Sequence, residues 1–139
     1  IAYMGHLDAI KPALTCSETL RFWAALRGEA HPAIEAALDR FGLGRAADWP
    51  CRWLSAGQRR RLALARLVAS PAPIWLLDEP TAALDSDGEA RLTSAIAEHR
   101  AEGGRIAVAT HQPLALPGAE TIRLDDYAAS PDDALEALW

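Results

Sequence analysis

The first half of the chain has apolar residues at helical spacing, and the second half adds short apolar runs typical of strands. The pattern predicts an amphipathic helix from Ser17 to Leu26, because apolar residues recur there every three to four positions. Gly28 ends this helix, and a second helix is predicted from about Pro32 to Phe41, closing at Gly42. Two consecutive helices are therefore expected before the middle of the chain.

The strongest helix signal lies between Ser55 and about Ser70. Ser55 is a natural N-cap residue, and Gln58 three positions later completes a capping box. Two prolines, Pro71 and Pro73, end the segment because proline cannot continue a helix. We therefore expect a helix whose first turn is fastened by side chains.

Short apolar segments predict the strands of a sheet. Ile74 to Leu77 is apolar throughout, which predicts a strand buried on both faces. Further strands are predicted within Ile1 to Gly5, from Arg105 to Thr110 and from Glu120 to Leu124, with a helix over about 87–102. Alternating helices and strands indicate an α/β fold with a mostly parallel sheet. In such sheets, ligands bind at the carboxyl ends of the strands.

Composition limits the possible functions. The 139 residues are 50% hydrophobic and 24% charged, which is ordinary for one globular domain or a part of one. The net charge of −5 argues against a surface that coats nucleic acid or binds anionic membranes. Cys16 and Cys51 form no CxxC or Cys/His cluster, so neither a metal site nor a disulfide is indicated. No run approaches the roughly 18 apolar residues of a membrane span.

The segment Leu54 to Arg66 is the most informative one for chemistry. Gly57 lies in the first turn of the capped helix, where backbone N–H groups are open to an anion. The helix dipole adds partial positive charge there, which favours phosphate. The alternative is a capped surface helix with a solvated arginine face.

Three polar side chains follow predicted strands and are expected at one edge of the sheet. Asp78 is placed to hold a divalent metal, and Glu79 could accept a proton from an attacking water. His111 follows the next strand and would face the same edge. The alternatives are an acidic strand-to-turn junction and a structural histidine.

The order of these motifs resembles the ATP-binding-cassette ATPases. That family has an LSGGQ-type signature, an apolar strand with Asp-Glu, an Ala-Leu-Asp turn and a strand-terminal His; here they are LSAGQ, IWLLDEP, Ala83-Leu84-Asp85 and Thr110-His111. The resemblance implies a P-loop NTPase-like fold, here partial, with a helical subdomain and a mostly parallel sheet flanked by helices. It also implies ATP and Mg2+ as ligands.

The same resemblance assigns a role to each matching residue. Ser55, Gly57 and Gln58 fall in the signature, which contacts ATP on the opposite subunit of a head-to-tail dimer. Asp78 matches the magnesium-associated aspartate and Glu79 the general base. The remaining matches are Asp85, in the turn that joins the two sites, and His111, the switch histidine near the γ-phosphate.

The segment around His6 points to a subfamily. His6 stands where the family has a glutamine that senses magnesium and water and couples to the membrane subunit; the alternative is a polar loop residue. The Gly-His pair, the later Ile-Lys, the Leu-Arg-Phe-Trp segment at 20–23 and Thr-His-Gln-Pro-Leu at 110–114 resemble the cytochrome c maturation, or haem-exporter, ATPases. Leu7, Asp8 and Ala9 depart from that subfamily's pattern.

A phosphate-cradling G-x-x-x-x-G-K-S/T loop is not found in residues 1–139, because Lys11 is the sole lysine and follows Ile10. We therefore expect the C-terminal part of one nucleotide-binding domain, unable to hydrolyse ATP alone. We expect a helical and signature region at about 12–70, a sheet core at 71–125 and a tail at 126–139. Sheet strands beside the missing loop are expected to have unpaired edges and exposed apolar faces.

The resemblance implies an ATP-hydrolysing subunit of an ABC-type transport complex for c-type cytochrome biogenesis. Its expected partners are a second ATPase subunit and an integral membrane permease, with no nucleic acid and no membrane span of its own. The expected location is peripheral, on the cytoplasmic face of the bacterial inner membrane. Two alternatives stay open: a cassette ATPase of DNA repair or translation, and a non-hydrolysing interaction module or fragment.

Overall fold

The computed structural model describes residues 1–127 and contains a three-stranded parallel sheet with helices packed against it. The elements in chain order are β1 (Ala2–Met4), α1 (Cys16–Leu26), α2 (Ile34–Arg40), α3 (Ala56–Ala69), β2 (Ile74–Asp78), α4 (Ser86–Ala101) and β3 (Arg105–Ala109). Short 3-10 turns cover Gly44–Ala46, Cys51–Trp53 and Leu124–Tyr127. The predicted α/β class with a parallel sheet is confirmed.

Side-chain capping explains where α1, α3 and α4 begin, whereas α2 has no side-chain cap. Ser55 accepts a hydrogen bond from the Gln58 N–H at 3.2 Å, and the Gln58 side chain accepts one from the Ser55 N–H at 2.9 Å. This is the predicted capping box of α3. An equivalent box between Thr15 and Glu18 begins α1 at Cys16, one residue before the predicted start at Ser17.

The sheet has strand order β1-β2-β3, and its register places Tyr3 beside Leu76 and Leu76 beside Ala107. Trp75 and Leu77 are buried against the helices, whereas Leu76 is 37% exposed. The prediction that β2 is buried on both faces is therefore wrong for the described residues. The helices cover one face of the sheet, and an apolar run does not reveal how many faces are covered.

The uncovered face of the sheet is apolar. Tyr3 is 61% exposed, and it lies next to the partly exposed Leu76 in the sheet register. The expected exposed apolar sheet face is thus present in the described part of the chain. Exposed apolar area of this kind is typical of an interaction surface.

The prediction of a strand from Glu120 to Leu124 is wrong. These residues form no strand, and the chain instead makes a 3-10 turn at Leu124–Tyr127. Ile122 is 71% exposed and Leu124 is 81% exposed, so their alternation faces no buried surface. A short alternating pattern forms a strand only when a sheet edge and a core are available to it.

The core lies between the helices and the covered face of the sheet. Its largest fully buried side chains come from helices α1 to α4, β1 and the turn after α2, and include Phe41, Met4, Leu20, Leu38, Leu43, Leu62, Leu64, Leu67, Leu92 and Ile96. Trp75 stacks on His99 of α4 with ring centroids 4.0 Å apart, which ties α4 to the middle strand. In residues 1–127, none of the helices combines the length and apolar character needed to cross a bilayer.

The proposed division of the chain at 12–70 and 71–125 stays a prediction. Strand β1 lies outside both ranges but pairs with β2, so residues near the beginning of the chain contribute to the sheet. Of the tail predicted at 126–139, residues 128–139 lie outside the described residues.

Candidate functional site

The Glu79 carboxylate is the most strongly engaged polar group at the carboxyl edge of the sheet. Its Oε1 accepts a hydrogen bond from the His111 N–H at 3.0 Å and lies 2.8 Å from the His111 Nδ1. Its Oε2 accepts a hydrogen bond from the Thr110 hydroxyl at 3.1 Å. The structure therefore brings Glu79 and His111 into contact, with Thr110 as a third member that the sequence analysis did not single out.

The backbone of Glu79 explains why its side chain meets the end of β3. Glu79 has φ of 47°, in the left-handed region that non-glycine residues seldom adopt. Its N–H continues the sheet by donating to the Ala109 carbonyl at 2.8 Å, and the buried Pro80 follows it. The chain turns sharply at this residue, and strain of this kind persists only where surrounding contacts hold it.

The same hydrogen bonds set the ionisation of Glu79. The hydrogen bond with the His111 side chain lowers the pKa of the Glu79 carboxyl, and the His111 backbone N–H and the Thr110 hydroxyl add to this effect. Partial burial opposes it. A carboxyl whose pKa is depressed in the folded state adds stability above about pH 4.3 and loses it as the pH falls further. Glu79 is therefore a carboxylate, able to accept a proton, throughout the neutral range.

Asp78 ends β2 immediately before Glu79 and is half-buried. It lines an open cleft of about 630 Å³ that also contains His6, Gly5 and Tyr3. The described residues contain no cluster of three or more acidic, histidine or cysteine side chains that could hold a metal by themselves. One carboxylate suits Mg2+, which proteins commonly bind through one or two carboxylates together with substrate phosphates.

Ser55 and Gln58 lie at the beginning of α3, and their side chains make the two reciprocal hydrogen bonds of the capping box. In the described part of the chain no hydrogen bond joins either of them to the Glu79 carboxylate. Gly57 instead packs against the turn that follows Glu79: a Cβ placed on Gly57 would lie 2.9 Å from the Ala83 carbonyl oxygen. Gly57 is thus needed for a close approach between two backbones, a reason that the sequence did not reveal.

We expect Gly57→Ala to lower the free energy of unfolding by about 1–3 kcal/mol, because overpacking against backbone forces a shift of the turn. Ala83 itself has φ of 62°, so this turn has little freedom to adjust. The measurement is the urea midpoint of the purified protein. Ala56→Gly at the neighbouring exposed position is the matched control and should cost less than about 1 kcal/mol. Equal losses for the two variants would contradict the packing role of Gly57.

The two remaining predicted site residues lie outside the Glu79–His111 contact. Asp85 is the N-cap of α4, and its carboxylate accepts a hydrogen bond from the Gly88 N–H at 2.8 Å. His6 is exposed in the loop after β1, at the mouth of the cleft that contains Asp78. In the structure, Asp85 therefore caps α4. The His6 side chain is exposed to solvent.

A parallel sheet with Asp-Glu at the end of its middle strand, a histidine after the next strand and a capped, glycine-containing helix defines an ATP-binding cassette. The chain belongs to the ABC transporter family, whose sequence pattern matches residues 1–82. The fold agrees: the chain superimposes on the dimeric ATP-binding cassette MJ0796, solved in a post-hydrolysis state bound to ADP and Pi, with a TM-score of 0.69. The match has 27% identity and covers 80% of this chain and 52% of that one.

Relatives in the family are more closely similar. The cytochrome c biogenesis ATP-binding export protein CcmA of Rhodospirillum rubrum is 52% identical over 132 residues, which cover 95% of this chain and 57% of the relative. The protein of the same name from Paramagnetospirillum magneticum is 50% identical, with coverage of 94% and 62%. The chain thus spans roughly three fifths of the length of these relatives.

Proposed function

We propose that the complete protein is the ATP-binding and ATP-hydrolysing subunit of an ABC-type export complex for c-type cytochrome biogenesis. The observation that carries this proposal is the Glu79 carboxylate, held by His111 and Thr110 at the edge of the sheet. The names of the relatives that are about half identical to this chain support the biological role. Haem as the exported substrate is part of the same proposal.

The chemistry assigned to this edge is hydrolysis of the terminal phosphate of ATP. Glu79 takes a proton from the attacking water, which general bases do most effectively at hydrogen-bonding distance. His111 lies beside Glu79, where it can donate to the γ-phosphate and hold the carboxylate in place. The exposed His111 ring, 77% accessible, can be reached by a nucleotide that approaches from solvent.

Asp78 is the residue that would hold Mg2+ at this site. The bound ion would neutralise charge on the ATP phosphates. The half-buried Asp78 carboxylate, one residue before Glu79, would fix the metal side of the nucleotide next to the base. No other described carboxylate is needed, because the phosphates supply further oxygen ligands.

The signature residues Ser55, Gly57 and Gln58 are assigned to ATP held by a second copy of the subunit. The solved ABC cassettes on which the chain superimposes are dimeric, which supports a site divided between two chains. Asp85, in the turn next to Gly57, would join the two sites, and His6 would respond to the nucleotide and to the integral membrane permease. The subunit is placed peripherally at the cytoplasmic face of the bacterial inner membrane.

Mixing two inactive variants tests the divided site. Glu79→Gln and Ser55→Asp are prepared separately from the complete open reading frame, and ATP hydrolysis is measured for each and for an equal mixture. In a head-to-tail dimer a mixed pair contains one site with wild-type Glu79 and Ser55. The mixture should regain up to about a quarter of the wild-type rate, because half of the dimers are mixed and each has one intact site.

If the mixture of two dimerising variants regains no activity, the divided site is overturned. An active Glu79→Gln variant would overturn the catalytic assignment.

The biological role is tested in cells. A strain without the gene should regain c-type cytochromes when it receives the wild-type copy, but not when it receives the Glu79→Gln copy. The cytochromes are detected by a stain for covalently attached haem. Normal c-type cytochromes in the strain without the gene would overturn the export role.

A further inference from the structure

Arg60 is a buried arginine one turn inside α3, and its guanidinium lies between the sheet and the loop after β1. Its side chain is 3% exposed. Nη2 donates to the carbonyl oxygens of Asp78 at 2.8 Å and Glu79 at 2.5 Å. Nη1 donates to the Gly5 carbonyl oxygen at 3.0 Å and to the Asp8 carboxylate at 3.0 Å. One side chain thus joins three segments that are far apart in the sequence.

Burying a guanidinium in this position costs free energy, which its hydrogen bonds and its ion pair must offset. Removing a charge from water carries a large penalty, and an apolar side chain of similar volume often packs as well or better. Asp8 is the one carboxylate that forms a salt bridge with Arg60 in the described residues. The other contacts are to backbone carbonyls, so the guanidinium is suited to holding backbone segments in place.

The backbone that Arg60 holds is the strained one. Glu79 has φ of 47°, and its carbonyl oxygen is the partner at 2.5 Å from the Arg60 Nη2. The left-handed turn at Glu79 sends its side chain towards Thr110 and His111. A donor on the Glu79 carbonyl therefore restrains the conformation on which the position of the carboxylate depends.

We propose that Arg60 is a positioning residue for ATP hydrolysis, which holds the Glu79 backbone and the loop that contains His6 in register with the signature helix α3. Ser55, the N-cap of α3, and Glu79, which follows β2, are then linked through the buried side chain of Arg60. Nucleotide contact at the start of α3 is transmitted to the carboxylate by this link. The inference rests on the function proposed above for Glu79.

The test compares Arg60→Gln in two backgrounds of the complete protein, by steady-state ATP hydrolysis in the wild type and by single-turnover ATP hydrolysis in Glu79→Gln. In the wild-type background kcat should fall about tenfold to a hundredfold, the loss that a misplacement of about 1 Å causes. The KM for ATP should change less than about threefold, because ground-state binding is not altered. In the Glu79→Gln background the residual rate should change less than about twofold, because Arg60 acts through Glu79.

Two further variants separate positioning from folding. Arg61→Gln, at the next position of α3, removes an arginine whose side chain is 19% exposed and lies 3.8 Å from Asp87, and it should leave kcat unchanged. Arg60→Lys keeps the charge beside Asp8, but its single ammonium lacks the planar fork that holds two loops. We expect Arg60→Lys to fold and still to have a reduced kcat, and it replaces Arg60→Gln in both backgrounds if that variant does not fold.

Equal fold losses in the two backgrounds would overturn the proposal, because a general structural defect is independent of Glu79. A wild-type kcat in both Arg60 variants would overturn it as well. These outcomes leave the function proposed for Glu79 intact. A complete protein in which Glu79→Gln is fully active would instead overturn that function, and the role of Arg60 with it.

Discussion

Glu79→Gln in the complete protein should lower the turnover of ATP by about 10²–10⁴-fold, the usual contribution of a general base. The change is isosteric: the amide oxygen of glutamine can still accept the hydrogen bond from the His111 N–H, and the amide NH2 can donate to the Thr110 hydroxyl oxygen, which accepts as well as donates. The fold and the placement of the side chain are therefore retained, and only the ability to take a proton is lost. The measurement is kcat and KM for ATP at neutral pH.

Glu89→Gln is the matched control for this prediction. Glu89 is an exposed residue in the first turn of α4, and within residues 1–127 no salt bridge involves its carboxylate. Its neutralisation costs at most about 1 kcal/mol of stability and should leave kcat unchanged. A Glu79→Gln protein with the activity of the Glu89→Gln control would remove Glu79 from the catalytic step.

Ser55→Asp should have the second largest effect on ATP hydrolysis, and the added negative charge alone should cause it. Aspartate caps helices as well as serine does, so α3 should keep its first turn and its hydrogen bond from the Gln58 N–H. A carboxylate about 4 Å from a phosphate oxygen is repelled by about 4 kcal/mol at the effective dielectric of a protein surface. ATP hydrolysis by the dimer should therefore fall by about 10²–10³-fold.

Ser55→Asn distinguishes charge from loss of the cap. Asparagine has the shape of aspartate, is an equally good N-cap and has no charge, so its kcat/KM should stay within about fivefold of wild type. Thermal unfolding of both variants checks that α3 begins as before. Equal activities of the Asp and Asn variants would contradict the assignment of this helix end to a phosphate.

Local sequence patterns predicted the helices and three of the strands well. Ser55 and Gln58 form the expected capping box because its two hydrogen bonds depend only on neighbouring residues. The contact between Glu79 and His111 was also accessible from sequence. Parallel strands end at the same sheet edge, so residues that follow adjacent strands meet there.

The errors share a different cause. Leu76 was expected to be buried and the segment at 120–124 to form a strand, but each outcome depends on what packs against that segment. An apolar run contains no information about whether a second layer covers it. The same limit applies to Arg60, because the run of three arginines to which it belongs is also typical of a solvated helix face.

The sequence by itself determined the class of the protein and the order of its elements, and it predicted the residues that we propose to carry its chemistry. These follow from local periodicity, caps and the spacing of motifs, which depend on residues close together in the chain. Only the tertiary structure decided that the Glu79 backbone is strained, that Gly57 must lack a side chain because of the Ala83 carbonyl, and that Arg60 is buried on two loops. Those features arise from contacts between segments distant in sequence, and no local pattern encodes the space that remains between them.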